Sequence, residues 1–451
     1  MAMTNLDTVR QAIELARAAG ADEAEAYLAR SRVLTVEVGS GQVETIKQAE
    51  DLGLSVRALV DGRVGLSYAT DFDAASLRRA AQRAVEVARA SDRDACAGFA
   101  EPETGAPAAD GFDPEMDRHS ADEKIERAFA VERAAKEYDA RIVLTRRVSY
   151  RERVVTEALA NTRGIAVEQC NNLCGGSAMV LARQGAEQQV GGGMDTKRRY
   201  AEFDACAIGR DAAERAVTML GATDVATQRA SIVLEPRMAA AFLGIIANLV
   251  RADQVLKGKS LFAGKLGQAV AGAGITLIDD GAYVGAPGAR AFDDEGVPSR
   301  RTVVVADGVL QNYLHTTHTA RQARAASTSN AARASFKASP DVAASNFALQ
   351  AGTVAPADLR ANVTRGLWVR NLMNLHTANP ISGEFSFGAN GMWIENGKLT
   401  RPVRGVTISG NLTDLLLNVR GIGNDLEWQG AMGLSIGAPS LLIEQVSIAG
   451  K

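Results

Sequence analysis

The chain has 451 residues, enough for two or three domains, an apolar share of 46% and a formal net charge of -3. That mild acidic balance has no basic block, and aromatic residues make up 5%, so neither a nucleic-acid surface nor a base-stacking platform is expected. Residues 1–20 carry Asp7, Arg10, Glu14 and Arg17 where a secretory signal needs an apolar core, and the longest apolar run, 238–250, falls well short of a bilayer span. A cytoplasmic chain without a membrane segment is expected.

The N-terminal half reads as a duplicated unit. Leu6, Val9, Ile13 and Ala16 share a helical face that ends at Gly20. Residues 33–68 are rich in β-formers, with Asp61-Gly62 supplying a two-residue hairpin turn. Asp73 is placed to cap a helix whose Leu77, Ala81, Ala84 and Ala88 share a face. The pattern then recurs. Ser120 and Glu123 form a capping box, and Ile125, Ala128, Phe129 and Ala135 form the next apolar face. Strand-like residues cover 141–193, and a last helix follows Ile208 with Ala213, Val217 and Leu220 in register. Residues 1–97 and 115–224 are therefore expected to be two α+β repeats, joined by an exposed Pro/Gly/Ala-rich linker at 98–114.

From 225 to 451 short β segments dominate. Turns are expected at Asp307-Gly308 and Asn396-Gly397, and frequent glycine suits a curved, barrel-like antiparallel sheet. Residues 325–355 are rich in Ala, Ser and Asn and read as a long mobile loop. One long helix is expected. Pro236 opens it, and the run from Met238 to Val250 is apolar nearly all round, as in a helix buried on several sides. The fold class is α+β: a duplicated helix and antiparallel-sheet half, then a mainly antiparallel, barrel-like β domain.

Six segments carry a resemblance: Lys259-Ser260-Leu261-Phe262, Phe292-Asp293-Asp294-Glu295-Gly296-Val297, Ile394-Glu395-Asn396-Gly397-Lys398, Pro402-Val403-Arg404-Gly405, Ser409-Gly410-Asn411 and Gly423-Asn424-Asp425. In order and spacing the chain resembles the TldD/PmbA (modulator of DNA gyrase) family. TldD-like members carry a His-Glu-x-x-x-His helix and a cysteine near the C-terminus, which resembles the equipment of a zinc peptidase. Counting back from Ser260, the resemblance sets the two histidines at Leu243 and Asn248 and the glutamate at Gly244. No cysteine follows Cys206. The chain thus resembles the TldE/PmbA branch. That resemblance implies a subunit that itself binds no zinc and pairs with a TldD-like zinc peptidase. The pair would cleave unfolded or leader peptides, and this chain would shape the chamber and the interface.

Other candidates were open at this level. His315, His318 and His376 would bind a metal if the fold converged them, which would make the chain an autonomous hydrolase. The carboxylates of Asp293, Asp294 and Glu295 read more simply as a polar turn held by backbone amides. Cys170 and Cys174 have metal-like spacing, but no second pair matches it, and together with Cys96 and Cys206 they are expected as reduced thiols. The helix 238–250 would also serve a homodimeric peptide-binding protein without catalysis.

Overall fold

The computed structural model describes residues 4–104, 111–431 and 434–450. The first half is built on one six-stranded antiparallel sheet. Helix α1 (Asn5–Ala18) leads into strands β1 (Glu23–Gly39), β2 (Gln42–Val60) and β3 (Arg63–Ala69), and helix α2 (Ala74–Ala90) follows. The short α3 (Glu115–Arg118) and α4 (Ala121–Tyr138) lead into β4 (Ile142–Asn161), β5 (Ala166–Gln184) and β6 (Glu187–Lys197), and α5 (Ala205–Thr218) follows. The strand order β3-β2-β1-β4-β5-β6 sets the repeats back to back, with β1 antiparallel to β4 at the centre of a half-barrel.

Local chemistry explains the element ends. Thr4 with Asp7 and Ser120 with Glu123 form capping boxes, and Asp73 accepts from the amides of Ala75 and Ser76. Asp61 and Gly62 take φ of 48° and 71°, as the β2–β3 hairpin requires. Leu77, Ala81, Ala84 and Ala88 of α2 are fully buried against the sheet. A leucine buried like Leu77 contributes about 1.5–3 kcal/mol.

Two expectations change here. β1 begins at Glu23, well before residue 33. Glu23-Ala24-Glu25-Ala26 is made of helix formers, but β2 and β4 pair with this segment on both sides and override local propensity. The linker is not exposed throughout. Phe99, Ala100 and Asp113 are buried, with the Arg57 guanidinium over the Phe99 ring, because the linker ends pack between the two halves. Its middle, 105–110, lies outside the described residues.

The second half opens with β7 (Gln228–Leu234), α6 (Pro236–Leu249) and α7 (Ala252–Leu256). β8 (Leu277–Asp280), β9 (Arg301–Ala306), β10 (Val309–Leu310) and α8 (Thr317–Ala323) come next. Then follow β11 (Ala331–Ala332), β12 (Asp341–Val342), β13 (Asn346–Leu349), α9 (Pro356–Ala361), β14 (Arg365–Met373), β15 (Glu384–Glu395) and β16 (Lys398–Asn411). The half ends with α10 (Leu412–Leu417), β17 (Val419–Ile422), β18 (Glu427–Ala431), β19 (Leu434–Ala438) and β20 (Leu441–Ala449). Strands β16-β15-β14-β7-β20 close into a barrel through a β16–β20 pairing, and β17 extends from β20. A second sheet runs β10-β9-β8-β13-β19-β18. The Asp307-Gly308 and Asn396-Gly397 turns both take positive φ, as their hairpins need. Among the described residues no helix is long and apolar enough to cross a membrane.

Residues 325–355 are not a mobile loop. They form β11, β12 and β13, and they bury Asn330, Ala331, Phe336, Val342, Ala344 and Phe347. Composition misleads here because the segment is held by polar anchors rather than large apolar side chains. Asp293 Oδ2 accepts from the Ala331 amide at 3.0 Å, and Asp279 accepts from the Ser345 amide and the Asn330 side chain at 2.8 and 2.7 Å. Arg333 reaches across to Glu25 of β1, and both side chains are buried.

Candidate functional site: the bare face of helix α6 and the cleft at its start

Helix α6 lies between the barrel strands β7 and β14 and the second-sheet strands β13, β18 and β19. This double packing explains its apolar sequence. It is not buried all round, however. Arg237, Ala241, Gly244, Ile245 and Asn248 form one stripe that stays partly open, while Leu243, Ile246 and Ala247 face the core. The helix ends where the Ser260 hydroxyl donates to the Leu249 carbonyl at 2.5 Å and accepts from the Phe262 amide at 3.0 Å.

The three positions singled out on this helix separate. Leu243 is 1% exposed and is part of the core. Gly244 sits on the open stripe, and a Cβ built on it meets nothing within 4 Å. Asn248 is exposed and turns its amide back onto the Gly244 carbonyl at 3.1 Å. A leucine, a glycine and an amide bonded to its own helix supply neither imidazole nor carboxylate. These residues do not fit a zinc ion.

The three histidines do not converge, which corrects the alternative metal site. His315 is buried after β10, its backbone is tied to Thr328 and Asn330, and burial holds its imidazole below the usual histidine range. His318 lies on α8 with Nε2 2.7 Å from an Asp94 carboxylate oxygen of the first repeat. His376 lies in the exposed 3₁₀ turn Leu375–Thr377. Among the described residues no three His, Cys, Asp or Glu side chains group as a metal would need. Cys96, Cys170, Cys174 and Cys206 form no disulfide, and burial, then Glu152, pushes Cys174 up to about 12.

The carboxylate turn is structural. Asp293 Oδ1 accepts from the amides of Glu295 and Val297 at 2.9 and 3.0 Å, Asp294 from that of Arg333, and Glu295 from that of Thr317. Asp293, Asp294 and Glu295 are all buried. Two other resemblance-bearing residues are also joints. Asn411 caps α10 through the Thr413 amide, and Asp425 accepts from the amide and hydroxyl of Ser440.

Sequence reading missed a cleft of about 810 Å³ at the start of α6. It opens between β6 and α5 of the second repeat and β18 of the second sheet, and Arg237, where the bare stripe begins, lines it. Glu235, the residue before α6, is buried and held by Arg215 at 2.5 Å and Arg370 at 3.0 Å. Burial pushes the Glu235 carboxyl up against the pull of these two cations. On the far wall, desolvation and then Glu235, Asp425, Asp211 and Asp195 push Glu427 up. Beside it stands the Trp428 ring. β6 and β18 are the outermost strands of their sheets, and both line the cleft. Its charged members are far apart in sequence, so no local motif announces them.

Helix, cleft and scaffold together define a class: a duplicated half-barrel unit joined to a closed β-barrel that carries one sandwiched helix. Three family models match in tandem, described as PmbA/TldA metallopeptidase domain 1 (residues 24–88), central domain (115–220) and C-terminal domain (227–450). The chain belongs to the PmbA/TldD family. It is 26% identical over 449 residues to the metalloprotease PmbA of Escherichia coli O157:H7, covering 99% of this chain and 96% of that one. A Thermotoga maritima crystal structure described as a modulator of DNA gyrase superimposes with a TM-score of 0.90 at 25% identity, covering 99% of this chain and all of that one. TldE of Thermococcus kodakarensis shares the fold, with a TM-score of 0.90 at 20% identity over 98% of this chain and all of that one.

Proposed function

We propose that this chain is the zinc-lacking subunit of a two-subunit metallopeptidase. In this reading a TldD-like partner supplies the zinc and the base, the pair cleaves unfolded or leader peptides in the cytoplasm, and this chain walls the chamber. The observation that carries the reading is the open stripe of α6. The expected glutamate position is Gly244 with empty space beyond it, one expected histidine is Asn248 bonded to its own helix, and the other is Leu243 in the core. The metalloprotease name of a full-length relative supports the activity assigned to the pair. The outermost strands β6 and β18, which line the cleft, suit an extended peptide held by strand addition.

The test is reconstitution. The purified chain alone should hold no stoichiometric zinc by metal analysis and cleave no unfolded peptide. Cleavage should appear on mixing with a TldD-like protein. Zinc-dependent cleavage by the lone chain, lost on chelation and restored by zinc, would overturn the proposal.

A further inference from the structure

The cleft at the start of α6, about 810 Å³, falls in the range that buries a ligand of drug size. Most of its charges already have partners. Lys197 pairs with Asp195 at 3.1 Å, and Arg215 with Asp211 at 2.8 Å and with Glu235 at 2.5 Å. Arg237 donates to the Gly192 carbonyl at 2.8 Å, and Arg198 to the carbonyls of Gly111, Ala286, Pro287 and Ala289. Arg199 and Glu202 stand three residues apart on the second-repeat wall and carry no net charge between them.

Glu427, on the β18 wall, differs. Among the described residues its carboxylate has neither an ion pair nor a hydrogen bond. The charges that act on it most are other carboxylates, those of Glu235, Asp425, Asp211 and Asp195. The next residue adds an independent feature. The Trp428 ring lines the cleft and lies tilted against that of Tyr283, with centroids 5.8 Å apart. Trp368, elsewhere on the barrel, has the guanidinium groups of both Arg360 and Arg370 over its ring, whereas among the described residues no cation stands over Trp428. At the same cleft Met194, Tyr283 and Val284 are about half exposed, an apolar rim on which an aliphatic stem can lie.

We propose that Glu427 and Trp428 form a subsite for the side chain of a lysine or arginine in a peptide lying in the cleft. The ring face attracts the charge, and the carboxylate accepts its N–H donors. The carboxylates around Glu427 disfavour its negative charge, so a cation there relieves their repulsion as well as pairing with Glu427. The inference rests on the reading of this chain as the wall of a peptide chamber, and it names the class of residue that wall selects.

The test uses the full chain alone and titration calorimetry. The probes are unfolded peptides, N-acetylated and C-amidated, that differ in one central residue and carry no other charge. Peptides with Lys or Arg at that position should bind about tenfold or more tighter than the Gln peptide. Glu427 is exposed, so its variants should keep the wild-type circular dichroism. Glu427→Gln should remove most of the preference, Trp428→Leu should lower it about threefold or more, and Glu427→Lys should turn it toward a Glu peptide. Equal binding of the Lys and Gln peptides overturns the proposal, as does a preference that either Glu427→Gln or Trp428→Leu leaves intact. Failure of the lone chain to bind any of these peptides, or binding only when the N-terminal amine is free, also overturns it. Each of these results leaves the subunit reading standing, because that reading falls on zinc-dependent cleavage by the lone chain.

Discussion

Removing the Asp293 carboxylate should detach the 325–355 segment from the body of the protein. Asp293 is fully buried and accepts three backbone hydrogen bonds, from Glu295, Val297 and Ala331 at 2.9, 3.0 and 3.0 Å. The first two shape the turn after Phe292, and the third holds β11. Asp293→Ala leaves all three amides in the interior without an acceptor. A buried donor left unpaired costs about 1–3 kcal/mol, and partial relaxation brings the expected total to about 3–5 kcal/mol. Asp293→Asn keeps the shape and one oxygen but turns a donor toward a donor, so about half that cost is expected. Several packed units do not unfold as one two-state system, so local opening is the better readout. Hydrogen exchange at Ala331 and Val297 should speed up sharply in Asp293→Ala while the amides of α2 stay protected. Unchanged protection at Ala331, with stability within about 0.5 kcal/mol of the wild type, would refute the reasoning.

The same residue carries a pH signature. Burial, then the neighbouring Glu295, holds the Asp293 carboxyl at about 7, against the pull of Arg290 and the backbone amides. The folded pKa therefore lies above the unfolded value of 3.8. The contribution is fully present below the unfolded value and is lost as pH rises through the folded one. Stability of the wild type relative to Asp293→Asn should fall from about pH 4 to about pH 7 and level off above. A difference that is flat across that window would contradict this assignment.

Four further variants have expected outcomes. Ser260→Ala removes the hydroxyl that joins the Leu249 carbonyl to the Phe262 amide in a buried site, and a thermal melt should show a loss of about 1–3 kcal/mol. Gly244→Ala adds a methyl into open space in a helix interior and should stabilise by about 0.5–1 kcal/mol. By contrast, the double variant Gly244→Glu/Asn248→His should still hold no stoichiometric zinc by metal analysis, because position 243 lies in the core. The exposed His318–Asp94 pair joins the two halves, yet His318→Ala should cost less than about 1 kcal/mol in denaturant titration. The hydrogen bond from the Cys96 amide, with His318, holds Asp94 below its ordinary value, so what the pair contributes is lost as pH falls through that lowered pKa.

Much of the architecture was legible because its signals are local. The capping box at Ser120, the cap at Asp73 and the three hairpin dipeptides act within four residues, and each stands where its chemistry requires. The duplication was legible because each repeat carries its own helix periodicity. The turn at Asp293 was legible because its Oδ1 bonds the nearby amides of Glu295 and Val297, whereas the amides that Asp294 and Glu295 hold, those of Arg333 and Thr317, are distant in sequence.

What the chain could not disclose depends on partners far along it. The Ala-rich start of β1 becomes strand only because β2 and β4 flank it. Residues 325–355 look too poor in large apolar groups to fold, and are ordered by buried carboxylates and Arg333 from distant segments. The cleft at α6 assembles Asp195, Asp211, Arg237 and Glu427 from four separate stretches. On α6 itself, an apolar run told of burial, and the resemblance located three positions without ligands. Only the packing of two sheets against the helix decided that Leu243 points inward while Gly244 and Asn248 lie on an open face. Sequence by itself determined which side chains are present and how each short segment turns. The tertiary structure decided which of them share a surface, because burial belongs to the neighbours as much as to the residue.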